Sequence, residues 1–310
     1  MNLGILFAIL AMLGFGLSSS FAKKPSNVLG PTKSIVIRNL GTVIILIPIA
    51  IIPLIKIKPT PVQLILATAI GIFGYIPLLY FYKALQKGRL GIVIPLTRTS
   101  IIWTIFLSMI ILQEFISFKQ AITVTIIIIG TILLTKKPNT KLLTKYTLQH
   151  GAKEALITGF LWAIWYVLYK FPIQAIGPFP AAFCLELGVL IGALIHFGYE
   201  NKDKLFSKKK DQFVMIHQLK NQDTFFASTY QQIKPIIPEL IGTTLCAAMA
   251  TTTLVFAIQF SKVSIVTAIT GASPLIAIAY GHIRLHEKFT KQEIIGASIA
   301  ILGVILLALV

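Results

Sequence analysis

Acidic residues are scarce in this chain: 10 Asp and Glu in 310 residues, against 28 Lys and Arg. Charged residues of either sign make up only 12% of it, about half the share of a soluble domain. So few charges cannot dress a water-facing surface of this size, which excludes an ordinary soluble globular protein. Cysteine is almost missing. Cys184 and Cys246 both fall inside apolar stretches, so no disulfide framework is expected. Metal and nucleophile signatures are lacking too. There is no HExxH, no GxSxG and no Walker lysine loop, and His150, His196, His217, His282 and His286 do not group at ligand spacing. These absences argue against an enzyme, a bound metal or another cofactor.

What fills the chain instead is apolar sequence. Hydrophobic residues reach 56%, and they recur in runs of about 20, the length needed to cross ~30 Å of hydrocarbon. Ten spans are expected, near 3–22, 34–55, 62–82, 90–112, 119–135, 154–171, 179–199, 236–258, 263–283 and 293–310. The alternating ten-residue pattern of a β-barrel is not seen. The expected class is an all-α membrane protein with no soluble domain. The first run lacks a basic stretch before it, so it reads as a span rather than a cleaved signal. Net charge is +18, yet the basic residues lie almost wholly between spans. There they meet anionic lipid headgroups, and nucleic acid is not an expected partner. Two connections are long. Residues 136–153 form a basic linker, and residues 200–235 a polar insertion with "SKKK" at 207–210. Phe206, Phe213, Met215, Ile216 and Leu219 would let part of that insertion lie on the bilayer surface, and a solvated loop is the alternative.

The chain repeats itself. Slid by 173 positions, the interval from Glu114 to Glu287, "YKALQKGRLGIV" (82–93) lies over "VFAIQFSKVSIV" (255–266). In the same register Ser100 meets Ser273, Ser117 meets Thr290 and Gly130 meets Gly303. Slid by 147, the interval from Lys23 to Lys170, Phe15 meets Trp162, Gly30 and Pro31 meet Gly177 and Pro178, Asn39 meets Glu186 and Gly41 meets Gly188. The insertion at 200–235 accounts for the difference between the two registers. Two five-helix units result, 1–135 and 154–310. Five is odd, so fused copies must cross the bilayer in opposite senses. The expected fold is therefore ten transmembrane helices as two inverted repeats, an architecture that exposes one central site to either side in turn.

Several motifs carry a family resemblance. Helix 6 is aromatic-rich and ends in lysine, "WAIWYVLYK" (162–170). A short turn precedes helices 4 and 9 in "KALQKGRL" and "FAIQFSKV", and Pro274 lies in "GASPLIAIAYG". Glu287 opens "LHEKFTKQEIIGASIAILGVILL". With these the chain resembles the ten-helix EamA-type members of the drug/metabolite transporter superfamily, over essentially its whole length. The first half departs from the pattern at Phe15, Ile101 and Thr123, which stand where the second half has Trp162, Pro274 and Gly296. The resemblance implies a multi-pass transporter of small metabolites.

Ionisable groups inside spans are the first candidates for a site. Arg98 is the deepest, about 12 Å into helix 4 at ~1.5 Å per residue, within the polar patch Thr97, Thr99 and Ser100. A guanidinium there suits a substrate carboxylate or phosphate. Trp162, Trp165, Tyr166 and Tyr169 follow i, i+3, i+4, i+7 and share a helix face. They would form a cavity wall or an interfacial belt. Tyr80, Thr270 and Ser273 could add hydrogen bonds, as could Tyr75, Tyr82 and Thr267. Glu186 is the acid well inside a span, either a proton carrier or a counter-charge to Arg38 or Arg98. Arg38, near a helix start, is expected to snorkel. Glu114 and Glu287 are expected as turn carboxylates facing the dipole of the helix that follows each. Gly188 and Gly192 form a GxxxG suited to close helix packing.

These features point to a secondary transporter, exporter or exchanger, in the cytoplasmic membrane. Its partners would be lipids, a small metabolite such as an amino acid, and protons or another coupling ion. A lipid-linked headgroup flippase, or a carrier of sugars or nucleotide-type solutes, is the alternative. Odd-numbered connections hold 21 of the 28 Lys and Arg, even-numbered ones five. The positive-inside rule then puts both termini outside, whereas the resemblance implies cytoplasmic termini. The charge count sets the expectation here.

Overall fold

Helix boundaries follow local chemistry that is visible in the sequence. Proline, with its preset φ and missing N–H, starts three of them: α2 (Pro31–Ile57) and α3 (Pro61–Lys87), which follow α1 (Leu3–Leu29), and later α8 (Pro178–Glu200). The structure, a computed structural model, describes residues 3–88, 90–135, 151–202, 233–276, 279–280 and 291–309. Among them the remaining helices are α4 (Leu90–Thr97), α5 (Ser100–Ile111), α6 (Phe118–Thr135), α7 (Ala152–Ile176), α9 (Ile237–Phe260), α10 (Val263–Thr270) and α11 (Lys291–Leu309). No strand occurs among the described residues. Thr60 and Gln63 cap α3 reciprocally, at 3.3 and 2.9 Å, and Ser117 and Gln120 do the same for α6, at 3.2 and 3.0 Å. Both are capping boxes. Gly30 and Gly177, equivalent in the two repeats, take φ of +81° and +78°. Each turns the chain sharply from one helix into the proline of the next, a conformation that a side chain would strain.

Six helical stretches are long and apolar enough to cross a membrane: α1, α2, α3, α7, α8 and Lys234–Phe260, a short 3₁₀ turn continuing into α9. Shorter apolar helices lie at Ser100–Ile111, Phe118–Leu133, Val263–Ile276 and Ile294–Leu307. The outer faces carry bare aliphatic side chains, with Ile44 58%, Ile52 59% and Ile65 67% exposed. A row of isoleucines cannot face water at that density, and this is a multi-pass membrane protein.

The fourth helix departs from the unbroken run 90–112 expected from hydropathy. It stops at Thr97, turns at Arg98 and Thr99, and restarts at Ser100. The threonine hydroxyls donate back to backbone carbonyls, Thr97 to Ile94 at 2.7 Å and Thr99 to Leu96 at 2.8 Å. Such back-bonding competes with the helical ladder. The ninth helix breaks at the equivalent place, with turns at Gly271, Ala272 and Ser273 after α10. Discontinuous helices are tolerated at membrane depth where they line a cavity or are buried in protein.

The packing repeats as the sequence does. α1 lies along α9 as α7 lies along α3. α1 touches α10 as α7 touches α4 and α5, while α2 meets α8 and α6 meets α11 across the middle. Individual bonds repeat too. Ser18 Oγ donates to the Thr243 carbonyl at 3.1 Å, and at the equivalent positions Trp165 Nε1 donates to the Ile70 carbonyl at 3.1 Å. Elsewhere the chemistry has been exchanged while the contact stays. Lys87 pairs with Glu154 at 2.6 Å, and the equivalent pair, Phe260 and Phe7, is a ring stack at 6.3 Å.

One contact is unusually close. A Cβ on Gly188 would sit 2.1 Å from the Thr68 carbonyl oxygen and 2.7 Å from the Gly71 Cα, and one on Gly192 would sit 2.9 Å from Tyr75 Cβ. The Gly188 and Gly192 stripe thus seats α8 against α3. Gly188→Val drives a branched side chain into backbone that cannot move aside. The expected loss is about 3 kcal/mol or more, at or above the upper end for overpacking, read as a lowered melting temperature in detergent.

Candidate functional site

A cavity opens where α1, α2, α3, α7, α8 and α9 meet the break between α4 and α5. Its two long walls come from equivalent faces of α1 and α7. On α7 stand Trp162, Trp165, Tyr166 and Tyr169; at the matching positions of α1 stand Phe15, Ser18, Ser19 and Ala22. The cavity is therefore symmetric in position and asymmetric in chemistry, small side chains on one wall and rings on the other. These four α7 residues are buried, so they form a wall and not an interfacial belt. The Trp165 indole is held by its bond to Ile70 and lies over Gly74, where a Cβ would come within 2.1 Å of it. Trp165 and Tyr169 meet edge to face at 4.9 Å, and Phe81 of α3 packs on Trp162 at 5.0 Å. The cavity volume is about 50 Å³, room for a few waters.

Charge sits between the repeats. Glu186 Oε2 accepts from Asn39 Nδ2 at 2.7 Å, and Oε1 accepts from the Thr251 hydroxyl at 2.5 Å. Arg38 donates to Asn39 Oδ1 at 2.7 Å and lies 3.7 Å from Glu186 Oε2. Asn39 and Glu186 are equivalent positions in the two repeats. Two such positions touch only near the axis relating the copies, so this cluster marks that axis. Arg38 does not snorkel as expected: it is 6% exposed, because Asn39 and Glu186 supply the acceptors that headgroups would otherwise provide. Arg98 is buried at 9% exposure and lines the same cavity. Its Nε has no acceptor among the described residues, and no described carboxylate pairs with it.

The residues singled out in the sequence divide. Arg98, Glu186 and the four α7 aromatics line the cavity. Thr97 and Ser100 are buried beside Arg98 but do not line it, and Thr97 spends its hydroxyl on Ile94. Thr270 bonds to the Thr267 carbonyl at 3.3 Å, and Ser273 is buried in the break after α10 with no partner for its hydroxyl among the described residues. Tyr80 is half-buried with Lys83 Nζ 6.0 Å from its ring, away from the cavity. Missed were Phe15, Ser18, Ser19, Ala22, Leu78, Phe81 and Thr251. Sliding the α7 aromatics by 147 would have found the α1 set.

Glu114 works differently from the expectation. α6, the helix that follows it, is already capped by Ser117 and Gln120. Glu114 reaches across instead, accepting from the Val263 N–H at the start of α10 at 2.8 Å and pairing with Lys170 of α7 at 3.2 Å. Lys170 also donates to the Ile258 carbonyl of α9 at 3.1 Å, and Lys262 to the Phe115 carbonyl at 2.6 Å. One carboxylate thus ties the first repeat to two helices of the second. Glu287 lies outside the described residues.

Comparison with known proteins bears on the whole chain. The profile described as the EamA-like transporter family matches residues 2–136 and 151–309. An "Uncharacterized protein" of Methanocaldococcus jannaschii is 33% identical over 138 residues, which is 43% of this chain and 97% of that one. A solved structure, described only as the crystal structure of a protein, superposes with a TM-score of 0.65 over 99% of this chain and 96% of that one. At 13% identity that likeness shows a shared fold and nothing more.

Proposed function

The chain belongs to the EamA-like transporter family, and from that premise we propose that it moves small organic metabolites across the cytoplasmic membrane as a secondary transporter, an exporter or exchanger. In this reading ten spans, with α4 and α5 together forming the fourth, make two inverted five-helix units, 1–135 and 154–310. Rocking of one unit against the other opens the central cavity to each side in turn. The observation that carries the reading is Arg98: a buried guanidinium, free of any described carboxylate, on the wall of a central cavity. A charge is left uncompensated inside a membrane protein where a ligand completes it. What Arg98 supports is a carboxylate, the group that the amino acids expected from the sequence share with other organic acids. Glu186 has both oxygens engaged, which supports its role as counter-charge to Arg38 over that of proton carrier.

A second reading rests on the groove at the α5–α7 seam. It is lined by Thr99, Trp103, Leu156, Ile157, Phe160 and Leu161 and opens outward beside Arg98, with about 400 Å³ of space. A lipid-linked substrate would use such a side entrance. Counterflow into proteoliposomes decides between the two. Free organic anions, amino acids, sugars and nucleotides are offered to purified protein with an unlabelled pool inside. The transport reading expects saturable uptake of at least one water-soluble solute. Uptake only of lipid-tailed solutes selects the flippase, and no uptake of any kind ends both.

A further inference from the structure

We infer that the cavity carries a singly charged organic anion with a flat apolar body, of the aryl monocarboxylate kind, and exchanges one such anion for another instead of carrying a zwitterion. The inference rests on the transport reading above and sharpens it.

Among the described residues, three charged ones line the cavity: Arg38, Arg98 and Glu186. Arg38 and Glu186 compensate each other, and Glu186 is 2% exposed with its oxygens already accepting from Asn39 and Thr251. What remains is one positive charge, Arg98. A carboxylate meets it bidentately. The ammonium group of an amino acid would need a counter-charge as well, and no carboxylate of the described lining is free to give one. The hydroxyls on the wall, among them those of Ser18, Ser19, Tyr82, Tyr166 and Tyr169, are neutral, and Ser18 and Ser19 already donate to the Thr243 and Phe15 carbonyls, the latter at 2.7 Å. Glu114, the nearest acid in sequence to the α4–α5 break, is committed to Lys170 and the α10 N-terminus. An ammonium held there by neutral hydroxyls and ring faces alone keeps its charge uncompensated, a cost that a monoanion does not carry. The apolar part of the lining, among it Phe15, Leu78, Phe81, Trp162 and Trp165, suits a ring. The small side chains of α1 facing the same cavity leave a ring-sized place once the walls part.

Exchange follows from the same charge. An empty carrier that closes must bury Arg98 without a counter-ion, whereas a loaded one buries a neutral pair. The loaded form therefore reorients faster, and a counter-anion on the far side speeds each cycle.

Three ligands with one ring and one chain length separate the cases: 3-phenylpropionate, phenylalanine and phenethylamine, tested by thermal shift on the full chain and by efflux from proteoliposomes. Phenylpropionate is expected to bind with a half-saturation about tenfold or more below that of phenylalanine, and phenethylamine to leave the melting temperature unchanged. External phenylpropionate is expected to accelerate efflux of the labelled anion about tenfold or more. Arg98→Lys, which keeps the charge and loses the fork, is expected to raise half-saturation about tenfold while the protein melts normally. Phenylalanine binding as tightly as phenylpropionate, a shift with phenethylamine, or no shift with any of the three overturns the inference. Efflux indifferent to external anion removes its exchange half. Anion binding without flux of any solute leaves the charge preference standing and removes the transport reading instead.

Discussion

Arg98→Met is expected to stop transport and to make the protein more stable. The two effects have one cause. The guanidinium is buried with an Nε that no described residue accepts from, and an unsatisfied buried donor costs roughly 1–3 kcal/mol. Methionine fills a similar volume and removes that cost, so the melting temperature in detergent should rise by the equivalent of about 1 kcal/mol or more. The substitution also takes away the group that receives the anion. Losing one partner of a desolvated charge pair is worth about 2–5 kcal/mol, which puts flux at least ~30-fold below wild type. A residue kept for packing would show the opposite pattern: lower stability, with flux falling only in proportion to the folded fraction. Unchanged flux in a well-folded Arg98→Met protein would remove Arg98 from the site.

The second buried arginine responds in the other direction. Glu186→Ala is expected to destabilise the protein by about 3–5 kcal/mol, because it strands Arg38 inside without its counter-charge. Asn39 and Thr251 lose their acceptor in the same step. Glu186→Gln should recover part of the loss, since an amide oxygen still accepts, but it cannot balance the charge. Replacing Arg38 and Glu186 together by methionine should come close to wild type, as buried ion pairs often tolerate exchange for well-packed apolar groups. Detergent melts of wild type, Arg38→Met, Glu186→Met and the double variant form a double-mutant cycle. A Glu186→Ala protein that melts with wild type would show that Arg38 finds its acceptors elsewhere.

How far this was legible in the sequence depends on the kind of signal. Apolar runs located the helices, since bilayer thickness acts on every span alike. The repeat registers named the equivalent positions, and the contacts that repeat between them, Ser18 with Thr243 and Trp165 with Ile70, came from the structure. The helix breaks at Arg98 and Gly271 were hidden, because the length of a span is read from hydropathy averaged over the whole run, and neither the polar patch at 97–100 nor a single glycine interrupts that average. The aromatic wall of α7 was visible as four large residues on one face. The opposite wall was not, because Ser18, Ser19 and Ala22 look unremarkable until set against those rings. Arg38 was misjudged because its acceptor, Glu186, lies 147 positions away and only folding joins them. Glu114 was placed at the right turn and given the wrong partner, since nothing local says that Ser117 and Gln120 already serve the next helix.

The bond between Asn39 and Glu186 has a consequence for ancestry. Two separate, identical half-length subunits paired about such an axis would set each residue against its own copy. Glutamate against glutamate repels, and asparagine against asparagine leaves Arg38 without a counter-ion. Only after two copies are joined in one gene can each side mutate alone, so that one supplies the donor and the other the carboxylate. An ionised centre of this kind is open to a fused chain and closed to a strictly symmetric dimer.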